Sequence, residues 1–176
     1  MGSPEQSTTK LKFVTARFGE IELAPSDILT FPEGLLGFAH VRRYVLVEEP
    51  GQEPFLWMQG IDDPDLAFIV VNPHLFFPGY EIQVKPQELT TIHLTDLSMA
   101  DVLVIITLPE DPMELTANLR GPVIINRENN FAKQLVLIDD RYHTKHFLLK
   151  EIPDYLATPP ERKKSQSKPG DAPKQP

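Results

Sequence analysis

Thr116-Ala117-Asn118-Leu119-Arg120-Gly121-Pro122-Val123-Ile124-Ile125-Asn126-Arg127-Glu128-Asn129-Asn130-Phe131-Ala132-Lys133-Gln134-Leu135-Val136-Leu137-Ile138-Asp139 is the stretch that decides the fold. Ala117, Leu119, Val123 and Ile125 fall on one side of an extended chain, and Thr116, Asn118, Arg120 and Asn126 on the other. That two-residue period predicts a half-buried strand. Arg127-Glu128-Asn129-Asn130 breaks the pattern, and asparagine tolerates the left-handed backbone that turns need. Residues 135–138 form a second apolar run, too short for a helix and rich in strand formers. Gly121-Pro122 lies inside the first strand. Proline lacks a donor and glycine bends easily, so this point is expected at an edge or a bulge.

Working outward, the same alternation recurs. Residues 13–17 and 20–23 read as a hairpin about Phe18-Gly19, and 28–31 as a short strand. Residues 32–38, Pro32-Glu33-Gly34-Leu35-Leu36-Gly37-Phe38, form a loop whose apolar side chains are expected to plug one end of the fold. Residues 44–47 and 55–59 are strands separated by the Pro50-Gly51 turn. Residues 66–71 are continuously apolar, as in a strand buried on both faces. Residues 81–85 are expected as a further strand and 142–152 as a last extended segment. Residues 102–108 are a β-branched strand. Residues 86–94 suit a short helix, with Pro86 first and Glu88 in its first turn. The sum is about nine short strands and one or two short helices. The expected class is mainly β: a small antiparallel, barrel-like domain.

Residues 1–12 are expected to be a flexible leader, 13–152 the domain, and 153–176 a disordered tail. The tail holds six prolines and almost no apolar residues after Leu156. Such a segment cannot bury enough surface to offset its ordering entropy. The chain carries a net charge of −8. Five basic and three acidic residues lie from Pro153 onward, which leaves −10 on the remainder. An acidic body repels phosphate backbones, which argues against direct nucleic-acid binding. It attracts a basic protein partner, although solubility alone also accounts for such a charge. There is no cysteine, which excludes disulfides, thiol catalysis and thiolate metal sites. The leader lacks a signal-peptide core, and no apolar run approaches the ~20 residues of a membrane span. These features predict a cytoplasmic protein with no membrane association.

Signals for chemistry are thin. No phosphate loop, dinucleotide fingerprint or nucleophile elbow occurs. His143 and His146 are three apart in a segment that reads as extended, where they would face opposite ways. Asp62, Asp63 and Asp65 lack the rest of a calcium loop and read as a capped turn. No catalytic, cofactor-binding or metal-binding residue is therefore assigned. The sharpest feature is Phe76-Phe77-Pro78-Gly79-Tyr80. Adjacent Phe76 and Phe77 should point to opposite faces. Either all three aromatics pack inside, or one is exposed beside the turn as an anchor for a protein partner.

Several motifs together resemble the FliW family of flagellar assembly factors. They are Phe31-Pro32-Glu33-Gly34-Leu35 with Gly37-Phe38, Phe55-Leu56-Trp57-Met58-Gln59, Asp63-Pro64-Asp65-Leu66-Ala67-Phe68 and Phe76-Phe77-Pro78-Gly79-Tyr80-Glu81. Thr116-Ala117-Asn118-Leu119, Pro122-Val123-Ile124-Ile125-Asn126 and Lys133-Gln134 complete the series, in the family's order and spacing over residues 13–149. Leu36 stands where the family often has proline, and Arg120-Gly121 where it is usually more apolar. The long tail is not part of the family core. The resemblance implies a barrel-like fold and no catalysis. It also implies two mutually exclusive protein partners: flagellin, and the translational repressor CsrA. On export of flagellin, the released factor would bind CsrA and lift repression of flagellin synthesis, a switch driven by mass action. The free protein is expected to be a monomer. The expected interface is Phe76, Phe77, Pro78 and Tyr80, with Asn118 and Arg120 on the outward face of the key strand. The competing expectation is a small-ligand barrel or an enzyme, with clustered titratable groups in a closed pocket.

Overall fold

In the computed structural model, residues 9–149 are described. The leader 1–8 and the tail from 150 lie outside them. Eleven strands are present among the described residues: β1 (Leu11–Thr15), β2 (Gly19–Leu23), β3 (Ile28–Thr30), β4 (Arg43–Val47), β5 (Leu56–Gly60), β6 (Ala67–Val71), β7 (Ala100–Thr107), β8 (Thr116–Ala117), β9 (Val123–Asn126), β10 (Ala132–Gln134) and β11 (His146–Phe147). Leu11 and Lys12, assigned by sequence to the leader, open β1. β1 and β2 form a separate hairpin. The others form one antiparallel sheet in the order β10-β9-β7-β6-β5-β4-β3, with β8 on β7 and β11 on β8.

The mainly β class is as expected, but the sheet is not closed into a barrel. Its two ends approach through one parallel bridge, Thr30 with Phe131. There the Thr30 N–H donates to the Asn130 carbonyl at 2.9 Å, and the Asn130 amide donates to the Ser26 carbonyl. One bridge is not a ladder, so a seam remains between β3 and β10.

β7 organises the sheet. One edge pairs with β6. The other is shared by β9 along residues 100–103 and by β8 at Ile106 and Thr107. Ile106 faces Ala117 and Leu103 faces Val123, so three steps along β7 are matched by six along its partner. The surplus is a bulge over residues 118–122, which contains Gly121-Pro122. The bulge is built rather than loose. Asn118 Oδ1 accepts from the Gly121 N–H at 2.9 Å, and Gln134 Nε2 donates to the Gly121 carbonyl at 3.1 Å. A Cβ on Gly121 would lie 2.9 Å from Asn118 Nδ2 and 3.0 Å from Gln134 Nε2, so a side chain there would push aside the two amides that brace the bulge. Beyond the bulge the chain is not at an edge, because β9 lies between β7 and β10.

Apolar side chains alternate between two cores on opposite faces of the sheet. Val104, Ile106, Val71 and Ile124 belong to one, with Phe77, Tyr80, Leu119 and Tyr142. Leu103, Val70, Val123 and Ile125 belong to the other, with Phe31, Leu35, Tyr44 and Met58. This double burial is what the unbroken run at 66–71 predicts. Leu35 plugs the second core as expected, whereas Leu36 is exposed. Burial of this kind contributes ~25 cal/mol per Å² and is the main force holding the sheet.

Four expectations need correction. Residues 135–138 are not a strand of the ladder; only the Leu135 and Leu137 N–H groups bond, to the Pro122 and Arg120 carbonyls at 2.8 Å each, because the bulge opposite spoils continuous pairing. Residues 81–85 form no strand: the Glu81 N–H goes to the Tyr142 hydroxyl and the Lys85 N–H to Glu88. The segment 142–149 turns before supplying the two residues of β11. The helix at Pro86–Ile92 is a 3-10 helix, as are the other helical segments among the described residues.

Candidate functional site

The turn at 76–80 follows β6, whose end is fixed by Asn72 capping Pro73–Leu75. The Tyr80 N–H closes the turn on the Phe77 carbonyl at 2.9 Å. Phe77 and Tyr80 point inward and are 8% and 3% exposed. Phe76 takes the opposite side, as adjacent residues must, and stacks on Phe55 with ring centroids 5.9 Å apart. Pro78 and Gly79 are left exposed at the tip. Two of the three aromatics are thus core residues, and solvent meets mainly the Pro-Gly tip.

The turn is locked onto the bulge. The Tyr80 hydroxyl donates to the Leu119 carbonyl at 2.7 Å. Burial pushes that hydroxyl's pKa up, so it remains a donor at ordinary pH. Residues 76–80 and 118–120, about forty positions apart in the chain, are therefore neighbours. Asn118 is half-buried with its side chain committed to the bulge, and Arg120 is exposed.

A third segment completes the surface, and sequence reasoning missed it. The Arg120 N–H donates to the His143 carbonyl at 3.2 Å. Tyr142 packs edge-on against Tyr80 at 4.7 Å and accepts the Glu81 N–H at 2.8 Å. Arg141 sits 5.2 Å from the Tyr142 ring centre and is forked onto Asp139 at 2.8 and 3.1 Å. That pairing holds the Asp139 carboxyl below its usual range. The only sequence signal was Tyr142 itself, an aromatic next to charged residues. Together the three segments enclose a shallow hollow of about 340 Å³.

The polar groups of the hollow are mostly committed to holding the loops together. His143 and His146 do not face opposite ways: the segment turns, their rings stack at 5.2 Å, and His146 Nε2 accepts the His143 N–H at 2.8 Å. Among the described residues no three His, Asp or Glu side chains are grouped as a metal site. No helix there is long and apolar enough to cross a membrane.

The segments that meet here and around the 32–38 loop carry the motifs quoted above. Lys133 pairs with Glu33 at 3.0 Å, and Gln134 Oε1 accepts the Leu36 N–H at 3.1 Å. Comparison with known proteins agrees. The family model described as FliW protein matches residues 12–148. The flagellar assembly factor FliW of Alkaliphilus metalliredigens is 42% identical over 139 residues, 78% of this chain and 86% of that protein. That of Bdellovibrio bacteriovorus is 44% identical over 126 residues, 72% of each. A crystal structure of the flagellar assembly factor FliW superposes with a TM-score of 0.72 at 33% identity, covering 78% of this chain and 96% of that one. The chain belongs to the FliW family of flagellar assembly factors.

Proposed function

We propose that this protein is a non-enzymatic, cytoplasmic partner switch that holds flagellin and, when flagellin is exported, binds CsrA and relieves repression of flagellin synthesis. The observation that carries this reading is the family match over residues 12–148. The excess of acid over base suits a basic RNA-binding partner, and steering by charge raises the association rate more than the affinity. The surface assigned to protein contact is the hollow between residues 76–80 and 118–120. Phe76, Phe77, Pro78 and Tyr80 line it, with Pro78 exposed at the tip, and Asn118 and Arg120 flank the lining residue Leu119, Arg120 being exposed. The free protein acts as a monomer and makes no direct contact with nucleic acid.

The test is a binding measurement on the purified full chain with flagellin and with CsrA, singly and in competition, beside an RNA shift assay. Each protein binds alone, and each displaces the other. Arg120→Glu weakens at least one of them about tenfold, or ~1.4 kcal/mol. Retention of neither protein, or a salt-sensitive RNA shift by this chain alone, would refute the reading. Unchanged binding by a folded Arg120→Glu chain would remove the assigned surface and leave the switch standing.

A further inference from the structure

A second groove, of about 390 Å³, crosses one face of the sheet from β5 over β6 toward β7 and β8. Its apolar floor follows from the register. Trp57 pairs with Ile69 and Ile69 with Ile106, so their side chains stand on the same face. Phe55, Leu108 and Leu115 extend that floor, and Leu108 is 60% exposed. The Trp57 indole is held in place, because its Nε1–H donates to Gln52 Oε1 at 3.1 Å. Arg17 lies over the same ring, 3.6 Å from its centre. A guanidinium resting on an indole is an example, within the chain, of the chemistry this groove accepts. The two loops that border the groove, 48–55 and 108–115, carry Glu48, Glu49, Glu53, Glu110, Asp111 and Glu114. None of these six is ion-paired among the described residues, whereas acids elsewhere, such as Asp62 and Asp101, are. Glu49 Oε2 is closed off from solvent without a hydrogen-bond partner.

We propose that this groove docks a segment of another protein in which an apolar side chain is flanked by arginine or lysine. The apolar side chain covers Leu108 and Leu115, and the flanking cations meet Glu53 and Glu110. Exposed ion pairs contribute little each, so the apolar contact carries most of the affinity and the charges select the partner. The same charge excludes other occupants. Nucleic acids and anionic membranes are repelled by it. A second copy is a poor occupant, because it brings two like-charged rims together. The groove and the hollow at 76–80 are separate, with the stacked rings of Phe55 and Phe76 between them. The proposal stands independently of flagellin and CsrA.

The test titrates a capped synthetic peptide, Lys-Arg-Leu-Leu-Arg-Lys, into the full chain. The peptide has no aromatic residue, so the emission of Trp57, the chain's only tryptophan, reads the groove directly. A saturable change is expected. Serine in place of both peptide leucines keeps the peptide's charge and should weaken binding about tenfold. Leu108→Ser in the protein should weaken the leucine peptide about as much, and circular dichroism reports that this variant is folded. Glu53→Gln with Glu110→Gln should also weaken it, about tenfold at low salt, and about 0.5 M salt should have a similar effect. Glu128→Gln with Asp140→Asn makes the same change in net charge on other loops and should leave binding unchanged. A missing response, equal binding of the serine peptide, or equal losses from the two acid pairs would each overturn the proposal. So would Trp57 emission that varies with protein concentration when no peptide is present, which assigns the groove to a second copy.

Discussion

The Tyr80 hydroxyl reaches the Leu119 carbonyl at 2.7 Å, and through that bond the turn after β6 is fastened to the bulge between β8 and β9. Both residues are buried, so the carbonyl has no ready access to water if the hydroxyl is removed. Tyr80→Phe keeps the ring packed on Tyr142 and strands the acceptor. A buried unsatisfied group costs about 1–3 kcal/mol. We expect the unfolding free energy to fall by that amount, read as a lower urea midpoint with an unchanged slope. The Gly121 amide, held by Asn118 Oδ1 in the same bulge, should exchange faster with solvent. An unchanged midpoint would mean that the bulge does not depend on the bond.

The two glycines of the 32–38 loop separate backbone conformation from crowding. Gly34 and Gly37 both have positive φ, 72° and 83°. A Cβ on Gly37 meets nothing, while one on Gly34 would lie 2.6 Å from Ala39 Cα. Gly37→Ala should cost only the left-handed penalty, about 1–2 kcal/mol. Gly34→Ala adds a forced backbone shift, for about 1–3 kcal/mol more. Thermal or urea unfolding of the pair reads the difference directly, and equal losses would refute the close approach.

How far the sequence discloses this fold depends on whether a feature is local. The double burial of β6 is legible because an unbroken apolar run needs two apolar faces. The bulge is legible because Gly121-Pro122 cannot continue a ladder. The loss of strand pairing at 135–138 is not legible, since it depends on what lies opposite, and the bulge itself removes the partner. The same limit governs the candidate site. Residues 76–80 stand out as an aromatic cluster and 118–120 as a polar face. That Phe77 and Tyr80 turn inward, and that Arg141 and Tyr142 join them, follows from packing between segments sixty positions apart.

Residues 135–138 make a testable edge. Leu135 and Leu137 bond inward, while the Val136 and Ile138 N–H groups have no partner among the described residues, and Ile138 is 99% exposed. An apolar, unpaired edge is a template for strand addition, and lysine is a common natural guard against it. Ile138→Lys should change stability by no more than about 0.5 kcal/mol. It should reduce self-association at high concentration, as light scattering reads it. A large loss of stability would show that Ile138 is packed in solution.

Asp62 links β4 to the turn before β6 and gives the fold an acid limb. Its carboxylate accepts the Arg42 and Arg43 N–H groups at 3.0 and 2.9 Å and pairs with the Arg43 guanidinium at 2.6 Å. Burial alone would raise its pKa, but the Arg43 side chain and the two backbone donors outweigh that and hold it below 3.8. A carboxyl whose folded pKa is depressed stabilises fully above its unfolded value, ~3.9, and loses that contribution as pH falls through the folded one. Asp62→Asn should therefore be less stable than the parent at neutral pH, with the gap closing as pH drops below about 4. Because the carboxylate is 24% exposed, salt should narrow the neutral-pH gap as well. Urea midpoints for both proteins from neutral to acid pH check this, and a gap that stayed constant into the acid range would show that Asp62 acts through its shape rather than its charge.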